Sequence, residues 1–149
     1  PETIARTLKP ALQRPSLCMS TAKTPIGCAE EWTNPNVVKV VTNAAGFALY
    51  FSRAPIPYVR EPRQRERAGE KLWGYRHLGI YVYRRDFLLK FSRLRPVPLE
   101  ETEGLEQLRA LTHGYGIRVV EVDEPSVEVD TPEDLEKARS YRVKEHRLH

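Results

Sequence analysis

Residues 34–52 (NPNVVKVVTNAAGFALYFS) constrain the fold more than any other stretch of the chain. They hold two runs that, apart from Lys39, consist of β-branched, aromatic and other apolar residues. The runs are 37–41 and 47–51, on either side of the turn residues 43–46 (NAAG). Such runs around a short turn with glycine are typical of a β-hairpin. A sheet that contains this hairpin has an antiparallel pair and cannot be purely parallel.

The remaining residues alternate between strand and helix patterns. Strands are predicted within residues 17–26, 77–83 and 117–122. Helices are predicted at residues 1–13, 86–91, 99–113 and 130–147. Strands that alternate with helices indicate an α/β fold, and the hairpin makes its sheet a mixed one. The length of 149 residues is that of one domain.

The predicted helices carry expectations about their faces and ends. In the first helix, Ile4, Leu8 and Leu12 share one apolar face. Asp86 is expected to cap the helix at 86–91, because a short polar side chain commonly accepts from the first backbone N–H groups. Residues 99–113 are expected to form one helix with its leucines on one side.

The charge is concentrated in the middle of the chain. Residues 53–95 hold twelve Lys or Arg and four Asp or Glu, whereas the remaining residues hold twelve and sixteen. A basic middle between acidic flanks indicates an anionic partner. Nucleic acid and a phosphorylated or carboxylated small molecule both satisfy this pattern, and composition does not choose between them.

Other classes of protein are disfavoured by what the sequence lacks. No apolar run approaches the roughly 20 residues that span a bilayer, so we expect no membrane partner. Cys18 and Cys28 cannot form a disulfide framework or a four-ligand zinc site alone, and reduced thiols in the cytoplasm are the simplest interpretation. The arginine-rich residues 60–67 lack interleaved aromatic residues, so we expect no nucleic-acid partner.

Two segments carry candidate binding residues. Arg53 follows a predicted strand and precedes a proline-stiffened loop, where its guanidinium could grip a carboxylate or phosphate with two hydrogen bonds. From spacing alone, a solvated surface arginine is the favoured alternative. His77, Gly79, Tyr81 and Tyr83 share one strand face and suit a ligand rich in hydroxyls. The alternative there is a half-buried aromatic strand.

Two further segments carry weaker signals. Glu106 and Gln107 could hydrogen-bond to sugar hydroxyls, although a solvated helix shoulder fits the pattern more simply. Asp130 lies between a predicted strand and a predicted helix, where it could cap the helix or bind a divalent cation such as Mg²⁺. The cap is the default interpretation.

Five strings together resemble one family closely, the 3-deoxy-manno-octulosonate (Kdo) cytidylyltransferases of lipopolysaccharide synthesis. They are NPNVVKVV (34–41), ALYFSRAPIPY (48–58), YRHLGIYVYRRDFL (75–88), PLEETEGLEQLRAL (98–111) and VDTPEDLEKAR (129–139). They follow the family's order, and the resemblance covers residues 1–139.

The resemblance implies a reaction and a site. CMP is transferred from CTP to the anomeric hydroxyl of Kdo with Mg²⁺, pyrophosphate is released, and the enzyme is a cytoplasmic homodimer with the nucleotide-diphospho-sugar transferase (Rossmann-like) fold. Arg53 is then expected to hold the Kdo carboxylate and Asp130 to be one of two metal-binding aspartates. The remaining Kdo ligands are expected to be His77, Tyr81, Glu106 and Gln107. The resemblance names no catalytic residue separate from binding, and these groups are expected to converge on one cavity.

The chain also departs from the family pattern. The family's CTP-binding loop, cytosine pocket and first metal aspartate precede the position that corresponds to Pro1. Residues 1–149 are therefore expected to be the carboxy-terminal portion of a single cytidylyltransferase domain, with a dimer arm at about 55–75, and inactive alone. Glu128 replaces a glycine that the family usually has beside the metal aspartate. The alternative is a non-catalytic relative that acts as a dimerisation or sugar-acid-binding module.

Overall fold

The computed structural model describes residues 2–60 and 74–123. The helices are α1 (Glu2–Gln13), α2 (Ala29–Thr33), α3 (Arg85–Phe91), α4 (Pro98–Glu103) and α5 (Gln107–Thr112). The strands are β1 (Met19–Pro25), β2 (Lys39–Thr42), β3 (Ala48–Ser52), β4 (Tyr75–Tyr83) and β5 (Ile117–Glu121). The predicted helix at 130–147, Glu128, Asp130 and residues 61–73 of the predicted arm lie outside the described residues.

The strands form one mixed sheet in the order β3-β2-β4-β1-β5. β1 and β5 are parallel, whereas β1 with β4, β2 with β3 and β2 with β4 are antiparallel. The mixed α/β fold and the hairpin are thus confirmed. Gly46 closes the hairpin turn with φ of +73°, a backbone conformation that glycine adopts without strain.

The two faces of the sheet are covered by different helices. On one face, Ser20 donates to the backbone oxygen of Thr7 in α1 at 2.7 Å. On the other face, α3 and α5 pack against the sheet and form the main core, which includes Met19, Phe51, Phe87, Leu108 and Ile117. The predicted binding residues of β3 and β4 border this second face.

Helix α1 is confirmed, but its apolar face is not the one that packs. Thr3, Thr7 and Ala11 are buried against the sheet, whereas Ile4 and Leu12 are 59% and 73% exposed. Both sets recur every four residues, so periodicity shows that two faces differ without showing which one meets the sheet. Among the described residues, no helix is long and apolar enough to cross a membrane.

The start of α3 differs from the prediction. Arg84 is the residue before the helix, Asp86 lies in the first turn, and Asp86 makes no side-chain cap. The side chain of Arg84 instead donates to the backbone oxygens of Ala11, Arg14 and Leu17. It therefore holds the end of α1, where helix carbonyls lack partners within the helix.

The prediction of a single helix at 99–113 is wrong. Gly104 has φ of +63° and ends α4, and α5 begins three residues later. Leu105 and Leu108 are buried as the leucine pattern indicates, but a left-handed glycine is a common helix terminator that the apolar spacing does not reveal. The break places Glu103, the last residue of α4, against β3.

Candidate functional site

Arg53 donates three hydrogen bonds that hold it at the end of β3. Its backbone N–H donates to Glu103 Oε2 at 2.9 Å, and its Nε donates to the Glu103 backbone oxygen at 2.8 Å. Its Nη1 donates to the backbone oxygen of Pro35 at 3.1 Å. The guanidinium is therefore oriented by the protein, unlike that of an arginine that is solvated on all sides.

Glu103 organises this region, although it was not among the candidate residues predicted from the sequence. Its carboxylate accepts from Tyr50 at 3.0 Å, Ser52 at 2.6 Å and the backbone of Arg53 at 2.9 Å. Burial of the carboxyl works against ionisation, but the hydrogen bonds from Ser52, Arg53 and Tyr50 outweigh it and lower its pKa below the usual value. Only the break at Gly104 distinguishes Glu103 from the other glutamates of the segment.

Lys39 is the second organising residue that was not among the predicted candidates. It is completely buried in β2, and its Nζ donates to three backbone oxygens: Asn34 at 2.9 Å, Val37 at 2.6 Å and Arg53 at 2.6 Å. Burial lowers its pKa, and the charge of Glu103 opposes that effect. A lysine between valines of a strand is the sequence signal, since a buried charge needs partners.

A row of rings runs along one face of β4, as the alternation predicts. The centroids of His77 and Tyr81 are 5.3 Å apart, and those of Tyr81 and Tyr83 are 5.9 Å apart. Phe51 of β3 meets His77 edge-on at 4.9 Å. We call His77, Tyr81 and Tyr83 the ring row. Phe51 connects it to the end of β3 that carries Arg53.

The imidazole of His77 is neutral at pH 7. His77 is 5% exposed, and burial lowers its pKa from 6.5 to about 4. Its Nε2 lies 2.8 Å from Thr21 Oγ1 in β1. The ring is therefore an uncharged hydrogen-bonding group and not a cation that pairs with an anion.

The burial of His77 predicts a loss of stability in acid. The unfolded chain binds a proton below about pH 6.5, but folded His77 does so only below about pH 4. The free energy of unfolding should therefore fall by about 3 kcal/mol as the pH drops from 6.5 to 4. Urea unfolding at several pH values measures this slope. His77→Gln should remove the contribution of His77 to this pH dependence, whereas His113→Gln, a surface change, should keep it. Equal slopes in both variants would show that His77 is not the source of the pH dependence.

Glu106 and Gln107 lie at the start of α5. Gln107 is only 2% exposed, so the solvated-shoulder interpretation does not describe it, whereas Glu106 is exposed. Burial, followed by the negative charge of Glu106, raises the pKa of Tyr83 to about 12. Glu106 is therefore close to the Tyr83 end of the ring row, and Phe51 connects the His77 end to β3.

Two expectations, a shared cavity and a Mg²⁺ site, stay predictions. A hollow of about 320 Å³ lies along α3, but its lining residues (Asp86, Leu89, Lys90, Arg93 and Leu94) include none of the predicted ligands. Convergence of those ligands on one cavity stays a prediction. Within residues 2–60 and 74–123, no group of three or more His, Cys, Asp and Glu is arranged to hold a metal. The Mg²⁺ expectation depends on Asp130, outside those ranges.

The mixed sheet, with helices on both faces, defines an α/β nucleotidyltransferase fold. A solved structure of CMP:2-keto-3-deoxy-manno-octonic acid synthetase complexed with CTP superposes with a TM-score of 0.85 at 40% identity, over 97% of this chain and 56% of that one. The chain belongs to the cytidylyltransferase family, whose family model matches residues 1–124. The family resemblance read from the sequence strings is confirmed.

Curated relatives give the same result. The 3-deoxy-manno-octulosonate cytidylyltransferase of Pelobacter propionicus is 52% identical over 143 residues, which are 93% of this chain and 56% of that protein. The enzyme of the same name from Polynucleobacter necessarius is 53% identical over 137 residues, 91% of this chain and 51% of that protein. The chain thus spans about half the length of the curated relatives it matches.

Proposed function

We propose that this chain forms the Kdo-binding part of an enzyme that makes CMP-Kdo and pyrophosphate from CTP and Kdo. The observation that carries the proposal is the fixed guanidinium of Arg53 beside Glu103, in a chain about half identical to enzymes named for this activity. A guanidinium whose orientation is set in advance binds a carboxylate without first losing side-chain freedom.

The ligand chemistry matches the residue types around Arg53. Kdo is a carboxylic acid with many hydroxyl groups, so it needs one cationic group and several hydrogen-bonding groups. Arg53 supplies the first, and His77, Tyr81, Glu106 and Gln107 supply the second. The sugar's anomeric oxygen forms a bond to the α-phosphorus of CTP while the bond to pyrophosphate breaks. The described side chains hold and orient the sugar acid for that step.

A calorimetric titration tests the proposal directly. Kdo should bind the 149-residue chain, and Kdo methyl ester, which lacks the carboxylate charge, should bind at least about tenfold more weakly because it loses charge-assisted hydrogen bonds. Equal binding of acid and ester, or no binding of Kdo, would refute the proposal. In the same samples, CTP and MgCl2 should yield no CMP-Kdo above the no-enzyme blank, since the sequence contains no glycine-rich phosphate-binding loop.

We also propose that Asp130 supplies one ligand of Mg²⁺. The support is the VDTPEDL string, in which Asp130 stands at the start of a predicted helix. A bound Mg²⁺ neutralises the phosphate charge of CTP, and it typically takes one or two protein carboxylates together with phosphate oxygens and water. Mn²⁺ should broaden the amide resonances next to Asp130. The broadening should disappear in Asp130→Asn and persist in Asp123→Asn.

Assembly as a cytoplasmic homodimer through the arm at 55–75 is a further part of the proposal. The arginine-rich arm motivates it. The shorter span of the chain also keeps open the second candidate function, a non-catalytic module that dimerises or binds a sugar acid. Light scattering after size-exclusion chromatography should show a dimer, and a strictly monomeric chain would contradict both the arm and the dimerisation module.

A further inference from the structure

The hydroxyl of Thr21 lies among three hydrogen-bonding atoms in the interior. Its Oγ1 is 2.8 Å from the Ile80 backbone oxygen, 3.2 Å from the Leu78 backbone oxygen and 2.8 Å from His77 Nε2. Thr21 has no exposed surface. The buried polar atoms in this group must therefore find their hydrogen-bond partners within the protein.

An irregularity of β4 brings the two carbonyl groups to the same hydroxyl. The register between β1 and β4 passes from Thr21 opposite Tyr81 directly to Ala22 opposite Leu78. Gly79 and Ile80 are thus extra residues on β4, as in a β-bulge, which re-aims backbone groups. As a result, the oxygens of residues on either side of Gly79 both reach Thr21.

The protons that these groups carry determine which atom donates each hydrogen bond. A threonine hydroxyl has a single proton, and a carbonyl oxygen has none. The proton of Thr21 must therefore point to the backbone oxygens, of which Ile80 is the closer. The 2.8 Å contact with His77 is a hydrogen bond only if Nε2 carries the proton and donates to Oγ1. The neutral ring then has no proton on Nδ1.

We infer that Thr21 is a positioning residue that locks His77 in the Nε2–H tautomer, so that the site offers only Nδ1, a hydrogen-bond acceptor, to a ligand. Resting on the proposed function, this means that His77 selects a sugar hydroxyl that donates its proton, and that it disfavours an ether or a carbonyl oxygen at that place. A buried polar group without its partner is penalised strongly, which makes such a contact selective.

The tautomer is measured by long-range ¹H–¹⁵N correlation spectra of the histidine rings at pH 7. The wild-type chain should show a protonated Nε2 and an unprotonated Nδ1 for His77. Thr21→Ser keeps the hydroxyl and should keep this pattern. Thr21→Val removes the hydroxyl and should give a mixture of tautomers. Thr24→Val, a buried change on the opposite face of β1, is the matched control and should leave the pattern unchanged.

The ligand part is measured by titrating Kdo into the same four proteins. Thr21→Val should weaken Kdo binding about tenfold, the effect of one hydrogen bond, while Thr21→Ser and Thr24→Val should not. A wild-type ring protonated at Nδ1, or an unchanged tautomer pattern in Thr21→Val, would overturn the inference that Thr21 fixes the tautomer of His77. If the spectra show that Thr21 fixes the tautomer but Kdo binds none of the proteins, the proposed function is wrong and the role of Thr21 is confirmed. If Kdo binds all four equally, the selection by His77 is overturned.

Discussion

Arg53→Lys should weaken Kdo binding roughly a hundredfold. Lysine keeps the positive charge but presents a single point of contact, whereas arginine presents a planar fork that pairs with both carboxylate oxygens. The change also removes the bonds from Nε and Nη1 to the backbone oxygens of Glu103 and Pro35. Each hydrogen bond to a charged group contributes about 1.5–3 kcal/mol, so losing one or two accounts for this factor.

Calorimetric titration of Kdo into wild-type and Arg53→Lys protein gives the comparison. Arg85→Lys is the matched control, because Arg85 is exposed on α3 and, within residues 2–60 and 74–123, forms a solvated ion pair with Asp86. It should bind Kdo as the wild type does. Binding by Arg53→Lys within about threefold of the wild type would show that Arg53 does not meet the carboxylate.

Lys39→Met should lower the free energy of unfolding by about 2–4 kcal/mol. Methionine has a similar length but no donor, so the backbone oxygens of Asn34, Val37 and Arg53 lose their shared ammonium. Burial of the ammonium lowers its pKa, which means that charging it is itself unfavourable in the fold. Lys39→Met removes this unfavourable burial of charge. The expected loss of stability is therefore smaller than the summed cost of three backbone oxygens without a donor.

Urea unfolding at pH 7 measures the effect. Lys9→Met, an exposed change on α1, is the matched control and should stay within about 0.5 kcal/mol of the wild type. Lys39→Met should also weaken Kdo binding, because the backbone of Arg53 loses one of its anchors. A loss of stability below about 1 kcal/mol would show that water replaces the ammonium at these oxygens.

Features that depend on neighbouring residues were predictable. The hairpin follows from valine-rich and aromatic runs around a glycine turn, and β4 follows from alternation between His77 and Tyr83. Arg53 was a candidate because it follows a strand and precedes a rigid loop. The family strings then assigned a role to it that its spacing alone did not support.

The errors arise where two local patterns compete. The leucines of 99–113 fit one helix, yet Gly104 terminates α4. The spacing of apolar residues carries no information about a single glycine in the left-handed conformation. In α1, the leucine-bearing face looked like the one that packs. The face that meets the sheet instead carries threonine and alanine, and Ser20 donates there to the Thr7 backbone oxygen.

Short-range chemistry in the chain is enough to place most strands and helices and to reveal the family. The roles of Glu103, Lys39 and Thr21 emerge only when the chain is folded, because their partners include residues as far as 53, 14 and 59 positions away along it. Which buried polar atoms meet depends on the strand order and on the two extra residues of β4. Those are properties of the assembled sheet, in which each buried donor or acceptor must find a partner that its own segment does not provide.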